Sequence, residues 1–191
     1  MPNIRDHTYW FPVSQSRRAP YDETMLTADM RAVIDAVHLC FAATVTPDGR
    51  PNLSPKGTIG VWDDAHLFFL DIASPGTRAN LAHAPWMEIN VVEPLSRRGY
   101  RFAGQAALHP PGSAVFDEAK RRVYGDQPPT YPMSGVVLLA VERAAPLLSP
   151  AYWRVADETE LRDVWRARRE AQDREFEAHI ARVGPVRVGR R

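Results

Sequence analysis

Cysteine is almost missing from this sequence. Cys40 stands alone among 191 residues, so an intrachain disulfide and a cysteine-based zinc site are both excluded. Lysine is nearly as scarce: of 24 basic residues only Lys56 and Lys120 are lysine. The formal net charge is +1, so no global field draws in nucleic acid or acidic lipid. No apolar run approaches the ~20 residues of a membrane-spanning helix. The first residues include Arg5 and Asp6 and lack the apolar core of a secretory signal. A cytoplasmic protein with no membrane or nucleic-acid partner is expected. There is no repeat at solenoid or propeller periods, and no G-x-G-x-x-G or Walker A sequence.

Proline is abundant, with 17 residues, and most of it punctuates the chain. Residues 1–24 carry three prolines and the aromatic run Tyr9-Trp10-Phe11, and are expected to form an irregular arm. Thr27 opens a helix in which Met30, Val33, Ile34 and Val37 fall at amphipathic spacing, ending near His38. Residues 40–46 read as a strand. Pro47-Asp48-Gly49 is a turn, since proline presets φ and glycine supplies positive φ. Residues 50–56 return as a second strand, and Pro51 and Pro55 place it at a sheet edge.

Short strands follow at 58–62 and 66–72, then a helix at 78–84 stopped by Pro85. Strands at 86–92, 99–108 and 134–141 are interrupted by a helix that Ser113 caps and that runs to about Tyr124. After Pro150 a charged helix spans 157–182, and its mixed charges suit a solvated face or i, i+4 pairs. The count is about six strands and three to four helices. Hairpin turns between consecutive strands favour a mainly β, α+β domain with an antiparallel barrel over a parallel sheet. Trp62, Phe68, Phe69 and Trp86 are expected in the core.

Few residues offer chemistry by pattern. The six histidines (7, 38, 66, 83, 109 and 179) show no metal-ligand spacing. Ser113 sits in no nucleophile elbow, and Cys40, opening an apolar strand, is expected to be a buried, inert thiol. Two segments remain. Ser74-Pro75-Gly76-Thr77-Arg78-Ala79-Asn80 leads from a strand into a helix. Free amides and the helix dipole there suit an anion, with Thr77, Arg78 and Asn80 as further donors. The same pattern also describes a plain capped helix, with Ser74 at N-cap and Pro75 at N1. On the strand after the hairpin, Asn52, Ser54 and Lys56 alternate onto one face with Thr58 beyond. A solvated strand face is the competing account.

Taken in order, these segments resemble the FMN-binding split β-barrel family, the pyridoxamine 5′-phosphate oxidase-like proteins. The resemblance spans about Met25 to Leu148. It rests on the first helix, on Phe41 to Pro51, on Ser54-Pro55-Lys56-Gly57, and on Phe68-Phe69-Leu70-Asp71 leading into Thr77-Arg78-Ala79-Asn80-Leu81. Arg101-Phe102-Ala103-Gly104-Gln105-Ala106 completes it. The resemblance implies a six-stranded antiparallel split barrel with flanking helices, from 25 to 150. Residues 151–191 form a charged helix and basic tail of the same domain. It implies a homodimer with FMN at the subunit interface, and an oxidoreductase acting on a small molecule. The implied cofactor residues are Ser54, Pro55, Lys56, Gly57 and Thr58 on the strand, with Asp71, Ser74, Thr77, Arg78 and Asn80 around the short helix. Tyr152, Trp153 and Arg154 are candidates to close the partner's pocket. The chain departs from pyridoxamine phosphate oxidases proper where Ser54 and Ile59 replace an arginine and a lysine, so that substrate is not carried over. A split barrel using a deazaflavin or haem, or a non-enzymatic flavin-binding module, are the alternatives.

Overall fold

The computed structural model describes residues 26–154 and 157–184. The expected arm at 1–24 and the end of the basic tail lie outside the described residues. Helix α1 (Ala28–Val37) begins where expected, with the Thr27 hydroxyl accepting from the Met30 N–H. Its buried stripe is Met30, Val33 and Ile34, and each such side chain removed from water contributes about 1.5–3 kcal/mol. His38 ends it in the left-handed conformation.

Seven strands follow: β1 (Cys40–Val45), β2 (Pro51–Lys56), β3 (Gly60–Val61), β4 (His66–Asp71), β5 (Trp86–Val92), β6 (Arg98–His109) and β7 (Gly135–Leu148). Helix α2 (Pro75–His83) lies between β4 and β5, α3 (Ala114–Tyr124) between β6 and β7, and α4 (Glu158–Val183) closes the chain. The strands form one sheet in the order β2-β1-β5-β6-β7-β4-β3, every pairing antiparallel. The sheet curls into a half-barrel, the split-barrel class expected, with seven strands in place of six. The shortest is the two-residue β3. It is shorter than the expected 58–62 because Thr58 bonds by side chain: the Leu70 N–H donates to its hydroxyl at 2.9 Å.

As its prolines required, β2 is an edge strand. Strand β4 is buried on both faces. Leu67 and Phe69 join Ile34, Ile89, Phe102 and Leu139 in the barrel core. Phe68 and Leu70 pack with Phe116 and Ala119 of α3, which explains the unbroken apolar run 67–70. The register of β6 against β7 shifts at Ala103/Gly104, a bulge that bends the pair. A Cβ on Gly104 would stand 1.9 Å from the Ala140 carbonyl oxygen. Past the bulge the two strands keep pairing as far as Leu148, so β7 outruns the expected end at 141. One core expectation fails: Trp86 is 54% exposed. The alternation of β5 turns Met87, Ile89 and Val91 inward and Trp86 outward.

Candidate functional site

Two ends meet beside the sheet edge. The end of β2 carries Ser54 and Lys56 inward, while Leu53 and Pro55 face out. The end of β4 turns through Ile72 and Ala73 into α2. Between them lies a cleft of about 320 Å³ lined by Ser54, Pro55, Lys56, Gly57, Thr58, Leu70, Ile72, Ala73 and Ser74. Six residues expected at a site from sequence therefore share one concavity: Ser54, Pro55, Lys56, Gly57, Thr58 and Ser74.

Lys56 is 6% exposed. Its ammonium donates to the Ser54 hydroxyl at 2.6 Å and lies 5.5 Å from the centre of the Phe69 ring. Burial pulls its pKa below the usual lysine value, against the opposing attraction of Asp71 and Cys40. Cys40 is fully buried, as expected, and desolvation pushes its thiol up to about 12.

Asp71, also fully buried, sits behind the start of α2. Its Oδ1 accepts from the Ser74 N–H at 3.2 Å and from the Ser74 hydroxyl. Ser74 is the N-cap residue, as expected, but its hydroxyl is engaged by Asp71 and makes no cap bond to the helix. The helix start therefore keeps amides that no side-chain oxygen caps. Arg78 Nε approaches Asp71 Oδ2 to 3.2 Å. The N–H is not directed at that oxygen, so both atoms are buried without a hydrogen bond. The Arg78 side chain remains 40% exposed.

Thr77 and Asn80 do not line the cleft. Both are buried under α2, where Asn80 Nδ2 donates to the Thr44 hydroxyl at 2.9 Å and that hydroxyl to Asn52 Oδ1 at 3.4 Å. This chain of bonds ties α2 to β1 and β2. Tyr152 and Trp153 lie away from the cleft of their own chain. Tyr152 donates to the Ser96 carbonyl at 2.7 Å, and Trp153 is 80% exposed.

Sequence reasoning missed a second cleft, of about 410 Å³, that shares Gly57 and Thr58 with the first. Asp35, His38 and Arg122 supply its polar lining, and no sequence motif links these three. Among the described residues no group of three or more metal-ligating side chains is assembled, and no helix is long and apolar enough to cross a membrane.

A curled antiparallel sheet with a donor-rich cleft between its edge strand and a helix N-terminus defines a split-barrel binding protein. The family model described as pyridoxamine 5′-phosphate oxidase matches residues 26–147, and the chain belongs to that family. HupZ of Group A Streptococcus is similar at 31% identity, over 65% of this chain and 96% of its own, with a TM-score of 0.56. An FMN-binding protein of Syntrophomonas wolfei subsp. wolfei shares the fold at 17% identity, over 61% of this chain and 82% of its own, with a TM-score of 0.53. No curated protein matches the chain.

The residues of the cleft suit a flavin nucleotide. The cleft offers the buried Lys56 ammonium, the Ser54 and Thr58 hydroxyls and helix amides that no side chain caps, all of them donors, with the partly exposed Arg78 side chain on the first turn of α2 beside it. Such a donor set answers a phosphate and the carbonyl edge of a flavin ring.

Proposed function

We propose that this protein is an FMN-dependent oxidoreductase acting on a small molecule, as a cytoplasmic homodimer. The observation that carries the reading is Lys56, a buried ammonium facing the cleft with the Ser54 hydroxyl as its partner. When bound, FMN supplies the hydride and electron chemistry, while the protein binds and tunes it.

Arg78 and the first amides of α2 hold the phosphate, with Asp71 orienting the guanidinium from behind. Lys56 would supply a positive charge to the polar edge of the ring. Ser54, Gly57 and Thr58 would contact the ring from the cleft wall, and Pro55 stiffens the strand that carries them. Thr77 and Asn80 keep α2 seated. A single chain offers a cleft of about 320 Å³, at the lower bound of ligand pockets. That small size supports a site completed by a second chain, to which the exposed Trp153 and the neighbouring Tyr152 belong.

The test is the absorbance spectrum and mass of the small molecule that co-purifies with the protein, followed by titration of the stripped protein with FMN. Flavin bands at one FMN per chain and reduction by NADH or NADPH are expected. A deazaflavin or haem spectrum would replace FMN in this reading. Binding without turnover would reduce it to a flavin-binding module.

A further inference from the structure

The first turns of α4 are clamped to the barrel. Leu161 is buried, Arg162 pairs with Glu93 at 3.0 Å, and Glu158 pairs with Arg98 at 2.9 Å. The Trp165 ring lies 3.6 Å under the Arg97 guanidinium. Beyond Arg169 the helix runs on for another 14 residues, ~21 Å at 1.5 Å per residue. Residues 172–179 are all exposed. Glycine and proline are absent from 158–183, so nothing bends the outer half back toward the barrel.

That outer half is not polar all round. Phe176, Ile180 and Val183 fall at i, i+4 and i+7, continuing the stripe begun by Leu161 and Trp165. Phe176 is 64% exposed and Val183 60%. A solvated four-turn extension with an apolar stripe is marginal in water, because most helix stability comes from packing.

A matching surface lies on the same chain. The outer face of β2, β1 and β5 presents Leu53, Phe41 and Val92, with Leu39 beside them, all exposed. They line an apolar groove of about 870 Å³ whose rim includes Arg169 of α4 itself. The helix thus crosses the edge of the groove and leaves it uncovered.

We propose that the outer half of α4 is a dimerisation arm, laying Phe176, Ile180 and Val183 into this groove on a second copy of the chain. The exchange is reciprocal. Groove and ridge adjoin on one surface, so a two-fold axis buries both at once, as an isologous interface requires. Covering this exposed apolar set with Val45 and Trp86 removes on the order of 800 Å² per chain, one side of a standard interface. The groove and the cleft lie on opposite faces of β2, with Leu53 lining the one and Ser54 the other. The inference rests on the homodimer of the proposed function and adds the element that holds it together.

The experiment uses the full chain and sedimentation equilibrium. The wild type is expected to be a dimer. Phe176→Asp with Val183→Asp is expected to raise the dimer dissociation constant at least 100-fold, with the near-ultraviolet circular dichroism of the barrel unchanged. Chains carrying Leu53→Cys, mixed with chains carrying Phe176→Cys, are expected to form a disulfide-linked dimer. A monomeric wild type, unchanged dimerisation of the Asp variant, or no cross-link in the mixture would overturn the arm. So would loss of the dimer on deleting residues 1–24 alone, which would make that segment the occupant of the groove. Flavin content read in the same samples separates the two ideas. Dimers without flavin contradict the cofactor and leave the arm standing, whereas flavin-bound dimers that ignore the Asp substitutions contradict the arm alone.

Discussion

Replacing Lys56 by methionine is expected to move stability and cofactor affinity in opposite directions. In the protein without flavin, Lys56 is a 6% exposed ammonium with the Ser54 hydroxyl as its hydrogen-bond partner. An ammonium has three donors, and burying them incompletely satisfied is unfavourable. Methionine fills the same volume beside Phe69 without that penalty. A net stabilisation on the order of 1 kcal/mol is expected, after subtracting the lost bond to Ser54.

The gain depends on pH, and its sign follows from the lowered pKa. The folded chain disfavours the protonated amine. The wild type is therefore penalised most below its folded pKa, and the penalty disappears as pH rises past the ordinary 10.5. The advantage of the methionine variant should shrink over that window. With FMN the direction reverses. A hydrogen bond to a charged group contributes about 1.5–3 kcal/mol, so its loss weakens FMN binding roughly 10- to 150-fold. Urea unfolding followed by tryptophan fluorescence gives the first quantity, and fluorescence titration with FMN the second. The flavin reduction potential, measured at saturation, should fall if the ammonium faces the ring, and stay put if it faces the phosphate. A variant less stable than the wild type with undiminished FMN affinity would refute the reasoning, since Lys56 would then be a structural residue.

Asp71→Ala should destabilise the protein by about 2 kcal/mol in urea. This is less than the 3–5 kcal/mol of a fully buried pair, because Arg78 is 40% exposed; an unchanged midpoint would show that the pair is not formed. Cys40, with its thiol pushed up to about 12 from an ordinary 9.0, should carry about a thousandfold less thiolate than in the unfolded chain. Iodoacetamide labelling at pH 8 should be negligible until urea is added, and fast labelling of the native protein would contradict its burial. Gly104→Ala should cost at least about 3 kcal/mol, since the new methyl group has no room beside the Ala140 carbonyl. A soluble variant with wild-type thermal stability would refute the bulge.

Local signals carried most of the fold. The stripe of α1, the turn at 47–49 and the edge-strand prolines of β2 are properties of neighbouring residues, and each reads correctly from the chain. What failed depends on distant partners. The extension of β7 to Leu148 requires β6 to bulge at Gly104, some 40 residues earlier. The outward turn of Trp86 follows from which face of β5 meets the core. At the cleft, Ser54, Lys56 and Thr58 were legible because alternation along one strand fixes a face, whereas Pro55 and Gly57 came only with the family resemblance. Thr77 and Asn80 looked equally open to a ligand. Only the docking of α2 over Thr44 shows that they are buried. The engagement of Ser74 by Asp71 was invisible too, because serine before proline at a helix start ordinarily reads as the cap itself.

Polar groups elsewhere in the molecule are well matched. Glu93 accepts from the Leu95 and Ser96 amides, and Asp29 from Arg98 and Tyr100. Unmet groups concentrate in one place. Among the described residues, three buried side-chain atoms lack a hydrogen bond: Asp71 Oδ2, Arg78 Nε and Trp165 Nε1. The third lies on α4 under two arginines. The first two stand at the start of α2, next to uncapped amides and across the cleft from the buried ammonium of Lys56. A folded chain leaves buried polar atoms unmatched only at a price in stability, and selection tolerates that where a ligand supplies the missing partners. Donors gathered here, the helix amides, a guanidinium and an ammonium, outnumber the one unmet acceptor, Asp71 Oδ2, so a ligand rich in acceptors and negatively charged complements them. A nucleotide phosphate joined to a ring with a carbonyl edge meets both requirements at once, whereas an uncharged substrate alone fails the second.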